Sequence, residues 1–320
     1  MNQEKRLELI ERNTEEIIRK DELDELLNNK KKPVAYCGYE PSGPLHLGHF
    51  VTILKLNDLE KAGFEVKILL EDVHAMLNKK GDEKLIKKEV DAWKKTLKAI
   101  NKNFKIILGS KFQFEKDYQK EIMNLAQHST IKRGLRSMQE VARDIGNASI
   151  SQMLYPLMQI ADIKYLKADL ASGGLEQRKI HMLGKDLSKI LNHNFIALHT
   201  PLITSLRGPG QKMSKSVQGS GISITETKAE IEKTLKKSYC PEKEIKDNPI
   251  LQISKLIIFP LLSKMKISRP EKFGGNKDYK NYSELETDFS RGNLHPMDLK
   301  NSVVENLEKI ISPIRKNFKP

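Results

Sequence analysis

The chain is poor in cysteine: Cys37 and Cys240 are the only two in 320 residues. Two thiols cannot build a disulfide framework or a four-cysteine zinc site, so each is expected to act as a small, partly buried side chain. Long apolar runs are also missing. The greasiest stretch, Leu256-Ile-Ile-Phe-Pro-Leu-Leu262, is far shorter than a membrane span and carries a proline, so it reads as a buried helix turn or strand. The opening residues, Met1-Asn-Gln-Glu-Lys-Arg-Leu7, lack the apolar core of a signal peptide, and a cytoplasmic location is expected. Neither an internal repeat nor a long low-complexity segment interrupts the chain.

What is present suits a globular protein. Hydrophobic residues make up 38% and charged residues 31%, and the length allows two domains with a substantial core. Fifty-six basic residues against 42 acidic ones leave a net charge of +14. Such a surplus suits a polyanionic partner, and it equally suits a lysine-rich surface that keeps the protein dissolved.

Residues 1–31 read as helical, from the spacing of Leu7, Ile10, Ile17 and Ile18, with Asn13-Thr14 as a helix start. Pro33 then opens a buried-strand candidate, residues 34–39. A tight loop, Glu40-Pro-Ser-Gly-Pro44, leads to a helix over about 45–62, which Gly63 stops. Strand 66–70, helix 83–100 and strand 104–108 follow. Strand alternating with helix is the signature of a parallel sheet with crossover helices. Residues 115–147 read as charged helix, with further helices near 152–166 and 177–191 and an apolar segment at 195–198. Residues 205–222 are rich in Gly, Ser and Lys and read as a mobile loop. From Thr225 onward the pattern is helical without clear alternating strands, which places a domain boundary near 222.

Two motifs carry chemistry. Pro41-Ser-Gly-Pro-Leu-His46-Leu-Gly48-His49 follows a strand and opens a helix. Helix N-termini offer free N–H groups and partial positive charge to phosphates, and Gly48 permits close backbone approach. His46 and His49 are three apart and share a helix face. They suit hydrogen bonds to phosphate; a metal pair or a plain helix start are the other readings. Lys212-Met-Ser214-Lys215-Ser216 lies in the Gly/Ser-rich loop. Two ammoniums and two hydroxyls on a flexible segment can fold over a leaving pyrophosphate, and a solvated basic loop is the bland alternative.

A third pattern is a polar stripe. Tyr155, Gln159 and Asp162 stand at i, i+4 and i+7 of an otherwise apolar helix, so they share one face. That face is either solvated or a pocket wall whose polar groups have partners. Pro156 is expected in the first turn or at a kink.

The His and Lys motifs together resemble the signature pair of class I aminoacyl-tRNA synthetases. Tyr36-Cys-Gly-Tyr-Glu40-Pro-Ser-Gly, Tyr155-Pro-Leu-Met-Gln159-Ile-Ala-Asp162, Gly173-Gly-Leu-Glu-Gln177-Arg-Lys-Ile-His, Ser238-Tyr-Cys-Pro241 and Leu294-His-Pro-Met-Asp-Leu-Lys300 narrow this to the archaeal and eukaryotic tyrosyl branch, over nearly the whole chain. The resemblance implies an α/β fold: a Rossmann-type nucleotide-binding parallel sheet with a helical insertion, followed by a mainly α-helical C-terminal domain. It implies a catalytic domain over 1–222, with a dimerisation insertion at about 110–150, and an anticodon-binding domain over 223–320.

By the same resemblance, Asp162 and Tyr36 meet the substrate phenol. A phenol donates and accepts a hydrogen bond, which an acceptor-only Asp and a Tyr hydroxyl match. Tyr155, Gln159 and Gln177 hold the substrate ammonium, with Glu40 near that end. ATP meets Gly38, His46, Gly48, His49, Lys212, Ser214 and Lys215, of which His46, His49, Lys212 and Lys215 stabilise the reacting phosphates. Mg²⁺ accompanies ATP, and no protein-bound structural metal is implied. Arg136, Arg178 and Lys179 face the acceptor stem of tRNA, and Phe273, His295 and Asp298 the first anticodon base. The implied partners are tRNA, L-tyrosine, ATP and a second copy of the chain. Three positions depart from the pattern: Glu71 stands before Asp72 where a small residue is expected, Lys164 where His is frequent, and Lys215 where archaeal relatives often carry serine.

Overall fold

The structure is a computed structural model that describes residues 2–141, 147–215 and 217–317. The chain forms two compact units, residues 1–42 with 55–201, and residues 43–54 with 202–320.

The first unit is built on a six-stranded sheet. Its strands are β1 (Glu16–Ile18), β2 (Val34–Tyr39), β3 (Glu65–Leu70), β4 (Lys105–Leu108), β5 (Leu170–Gly174) and β6 (Ile196–Thr200), in spatial order β1-β6-β5-β2-β3-β4. All neighbours are parallel except β1 and β6. β2 and β5 lie at the centre and are buried along nearly their whole length, as a strand covered on both faces must be. The chain winds from β2 through β3 to β4, then restarts at β5 on the other side of β2. The carboxyl ends of β2 and β5 therefore flank the topological switch point, where open α/β sheets bind ligands.

Helix Glu83–Ile100 shows how a crossover is fixed. Asp82 caps it by accepting from the Leu85 N–H at 2.8 Å. Ile86, Val90, Trp93 and Leu97 form its buried stripe, and the Trp93 ring packs 5.4 Å from that of Tyr39.

The N-terminal region corrects the reading of 1–31 as helical with a helix start at Asn13-Thr14. Helix Gln3–Glu11 ends at Asn13, whose φ is 53°. The Glu16–Ile18 segment extends as an edge strand, with Ile17 opposite Leu198. The β-branched pair Ile17-Ile18 fits a pleated edge better than a helix, and the left-handed Arg19 (φ 66°) turns the chain into helix Lys20–Asn29.

The second unit is mostly helical. Helix Pro296–Lys316 buries Leu299, Val303, Leu307 and Ile311 and packs with helix Lys228–Lys236, itself started by a Thr227/Glu230 capping box. The greasy Leu256–Leu262 stretch is helical, passing through a π-turn over Ser254–Ile258. A short hairpin, β7 (Met265–Ile267) with β8 (Lys277–Tyr279), accompanies the helices of this mainly helical region. Three-residue strands are too short to show an alternating pattern. Among the described residues, no helix is long and apolar enough to cross a membrane.

Candidate active site

The polar stripe belongs to helix Ile150–Tyr165. Pro156 lies inside this helix, past its first turn, which removes the first of the two places expected for it. Tyr155, Gln159 and Asp162 are all buried, Asp162 completely, so the stripe is not a solvated face.

At one end of the stripe, Asp162 accepts from Gln113 Nε2 (2.9 and 3.1 Å to its two oxygens) and from the Tyr118 hydroxyl at 2.8 Å. Burial pushes its carboxyl up to about 7, against the pull of those two donors. The His74 ring lies between two carboxylates: Nδ1 is 3.9 Å from Glu71 Oε2, and Nε2 is 3.9 Å from Asp162 Oδ2. Burial drives His74 down to about 3, so the imidazole is neutral. From the end of β3, the Glu71 carboxylate accepts the Tyr36 hydroxyl at 3.1 Å, and the Tyr155 hydroxyl also bonds it. Burial and the nearby Asp162 raise Glu71 well above the ordinary carboxylate range, and burial raises Tyr36 too, so its hydroxyl keeps its proton. Gly38 makes this possible: a Cβ there would lie 1.9 Å from Glu71 Oε1 and 2.6 Å from the Tyr36 oxygen.

At the other end, Gln159 Nε2 donates to Gln177 Oε1 at 3.1 Å, which joins the stripe to the turn after β5. Gln159 Oε1 is buried without a partner. Glu40, just past β2, accepts from Asn78 Nδ2 at 2.6 Å and pairs with Lys80 at 3.4 Å.

The two phosphate motifs come together in the second unit. His46 forms an isolated antiparallel bridge with Ser223, and the His46 and His49 rings lie tilted by 32° with centroids 3.8 Å apart. The Gly48 N–H donates to His46 Nδ1 at 3.1 Å, and the His46 N–H to His49 Nδ1 at 3.4 Å. A Cβ on Gly48 would meet the His46 ring at 2.9 Å and lie 3.7 Å from the Met213 carbonyl of the Lys motif. Burial, then the charges of Lys212 and Lys215, bring His46 down to about 4; burial, His46 and Lys212 lower His49 further below its usual value. Both imidazoles are thus neutral hydrogen-bonding groups. Lys215 is tied to Glu226 at 2.5 Å and to the Gly221 carbonyl at 3.4 Å. Ser216 lies outside the described residues, as do residues 142–146 of the expected insertion.

Of the residues matched to tRNA contacts, Arg136 is exposed on helix Ile131–Met138. Arg178 pairs with Glu16 at 2.6 Å, and Lys179 with Gln139 and Glu140, each at 2.9 Å. Phe273 is 59% exposed beneath the Lys272 ammonium, which lies 5.0 Å from the ring centroid. A solvent-facing aromatic is not a core anchor. His295 caps helix Pro296–Lys316 through the Met297 N–H and is exposed, with Asp298 in the first turn.

Sequence reasoning missed Gln113, Tyr118 and His74. Gln113 and Tyr118 fall in the segment read only as a dimerisation insertion, yet both reach Asp162. Gln113 follows the carboxyl end of β4, the edge of a parallel sheet where sites collect, and that position was the available signal.

A family model, tRNA synthetases class I (W and Y), matches residues 28–312. The tyrosine–tRNA ligase of Methanocaldococcus jannaschii is 46% identical over 97% of this chain and 99% of its own. The crystal structure of the tyrosyl-tRNA synthetase of Archaeoglobus fulgidus complexed with L-tyrosine superposes with a TM-score of 0.94, at 43% identity over 99% of each chain. That of Pyrococcus horikoshii, also with L-tyrosine, gives 0.90 at 30% identity over 99% of this chain and 96% of its own. On full-length identity and shared fold, the chain belongs to the tyrosine–tRNA ligases, within the class I tRNA synthetases for tryptophan and tyrosine.

Proposed function

We propose the following division of labour for an enzyme that activates L-tyrosine with ATP and passes it to the 3′ end of its tRNA. The first unit holds the amino acid. Asp162 accepts from the substrate phenol, Tyr36 supplies a hydroxyl at the same end, and Tyr155, Gln159 and Gln177 take the ammonium, with Glu40 beside them. The unpartnered Gln159 oxygen is an acceptor of the kind an ammonium satisfies.

The substrate carboxylate is ionised at neutral pH and needs no base. It attacks the α-phosphorus of ATP, a P–O bond forms, and pyrophosphate leaves with the electrons of the broken bond. Catalysis is positioning and charge stabilisation. Neutral His46 and His49 donate N–H groups to phosphate oxygens, Gly48 lets the nucleotide approach the backbone, and Lys212, Ser214 and Lys215 take the charge of the leaving pyrophosphate. Mg²⁺ arrives with ATP, held mainly by phosphates and water. In the second step the terminal ribose hydroxyl of tRNA displaces AMP from the adenylate.

Arg136, Arg178 and Lys179 are assigned to the acceptor stem, and Phe273, His295 and Asp298 to the first anticodon base. An exposed aromatic with hydrogen-bonding neighbours suits an unstacked base. Residues 1–222 serve catalysis and 223–320 the anticodon; two copies pair through the region 110–150, and the enzyme works in the cytoplasm.

The observation that carries the reading is the completely buried, hydrogen-bonded Asp162 at the end of a buried polar stripe. ATP–pyrophosphate exchange with tyrosine, tryptophan and phenylalanine tests it. Exchange with tyrosine and not with the other two is expected. An indole only donates and has no use for the Tyr36 hydroxyl, so exchange with tryptophan alone overturns the assignment.

A further inference from the structure

Arg178 and Lys179 are neighbours in the chain, yet they are held differently. Lys179 is tied to Gln139 and Glu140, both exposed at the surface. Arg178 opens helix Arg178–Asp186, and its Nε lies 2.6 Å from Glu16 Oε1 on the edge strand β1. The same carboxylate oxygen lies 2.9 Å from His199 Nδ1 on β6. His199 Nε2 in turn lies 2.9 Å from His181 Nδ1. His181 comes three residues after Arg178 on the one helix, a spacing that makes side chains neighbours. Arg178, Glu16, His199 and His181 therefore close a ring of contacts that fastens the start of this helix to two strands.

The register of the sheet explains the ring. Glu16 is paired directly opposite His199, and opposite residues of an antiparallel pair point to the same face. Both imidazoles are buried, at 0% and 1% exposure, and burial lowers both below their ordinary values, so they are neutral. The approaches to Glu16 Oε1 are close without being aligned hydrogen bonds. What holds Arg178 is thus chiefly the attraction of its charge for the carboxylate, which the buried His199 keeps in place from behind.

Stability is a weak reason for this pair. Its side chains are 46% and 26% exposed, and ion pairs that wet add little to folding. Placement is a stronger one. The carboxylate approaches Arg178 by Nε, and among the described residues the terminal amino groups of Arg178 make no hydrogen bond with the protein. A guanidinium anchored in this way presents a planar fork of N–H donors, a shape that matches phosphate or a base edge. A long side chain already held in its bound position also loses less freedom when its partner arrives.

Resting on the reading of Arg178 as an acceptor-stem contact, we propose that Glu16 is a positioning residue for the tRNA step: backed by His199 and His181, it holds Arg178 with its amino fork turned out to the RNA. Glu16 itself touches neither the amino acid nor the nucleic acid in this role.

The test is aminoacylation by the full chain, with tRNA varied at saturating tyrosine and ATP, for wild type, Glu16→Gln, Arg178→Ala and the double variant. Glu16→Gln keeps the shape of the side chain and removes its charge. It is expected to raise KM for tRNA about fivefold, the order of what ordering one long side chain costs on binding, with a smaller change in kcat. In the Arg178→Ala background the same substitution should change nothing further, because Glu16 acts through Arg178. Effects that multiply in the double variant mean that Glu16 acts on the fold, and they overturn the proposal. A lowered KM in Glu16→Gln also overturns it, since the carboxylate then competes with RNA for the guanidinium. An unchanged KM in Glu16→Gln beside a raised one in Arg178→Ala overturns the proposal and leaves the acceptor-stem reading standing. A KM for tRNA in Arg178→Ala equal to that of wild type overturns both.

Discussion

Lys215 Nζ sits 2.5 Å from Glu226 Oε1, an ion pair inside the second unit that holds the lysine-rich loop by the same ammonium assigned to pyrophosphate. Both side chains are partly exposed, at 30% and 15%, so the pair is worth about 1 kcal/mol at most. Removing the charge with Glu226→Gln keeps an acceptor for the Ser223 N–H and frees Lys215. The KM for ATP in pyrophosphate exchange is expected to fall by about twofold to fivefold, the factor that energy corresponds to. A rise in KM would show that Glu226 positions Lys215 rather than competes for it.

His46 and His49 act in the account as neutral donors. Replacing His46 with Ala is expected to lower kcat for adenylate formation by about a hundredfold or more, the usual cost of removing one preorganised donor from a charged transition state. Single-turnover adenylate formation measures this directly. His46 is brought down to about 4, so its titration leaves the rate flat from about pH 5.5 to 8. The sign for stability is separate. The unfolded imidazole binds its proton near pH 6.5 and the folded one only near 4, so the fold loses stability as pH falls through that window. Urea unfolding at pH 7 and pH 5 should show this loss, and His46→Ala should reduce it.

Asp162 gives a pH dependence of the opposite sense. Its carboxyl is pushed up to about 7, while the unfolded value is about 3.9. Between those values the folded state binds the extra proton, so this group's contribution to stability falls as pH rises from about 4 to 7. Activity moves the other way, because only the ionised form accepts from the phenol without offering a proton. The kcat/KM for tyrosine should rise about tenfold per pH unit below pH 7 and level off above it. Asp162→Asn should flatten the profile and lower the plateau. A profile unchanged in Asp162→Asn contradicts the role given to this carboxylate.

Lys55 is a stability prediction apart from the site. It is 1% exposed, and its ammonium donates to the carbonyls of Leu9 (3.1 Å), Ile10 (2.8 Å) and Arg12 at the end of the first helix. Burial lowers the lysine to about 8. Lys55→Met leaves those buried carbonyls without their donor and should destabilise the fold by about 2–4 kcal/mol, read as a lower midpoint in thermal or urea unfolding. A midpoint within error of wild type would contradict the capping role.

The sheet was readable because β2, β3 and β4 are short apolar runs separated by helices, and that alternation admits few topologies. The polar stripe was readable because Tyr155, Gln159 and Asp162 repeat with helical period on an apolar background. What escaped was long-range. β1 exists because β6 offers it an edge, and Ile17-Ile18 alone do not announce that pairing. Gln113 and Tyr118 gain their meaning from Asp162, more than forty residues away, and apart from Gln113's place after β4 nothing in their own neighbourhood marks them. Glu71 was visible as an unexpected carboxylate, but its bonds to Tyr36 and Tyr155 needed the folded strand ends.

The central claim is that this chain charges tRNA with tyrosine. Aminoacylation of total tRNA by the purified full chain, with labelled tyrosine, tryptophan and phenylalanine in parallel, tests it most directly. Label from tyrosine should appear on tRNA in an ATP-dependent reaction, and label from the other two should not. Charging with tryptophan or phenylalanine, or none with tyrosine by a protein that still forms adenylate, would contradict the account.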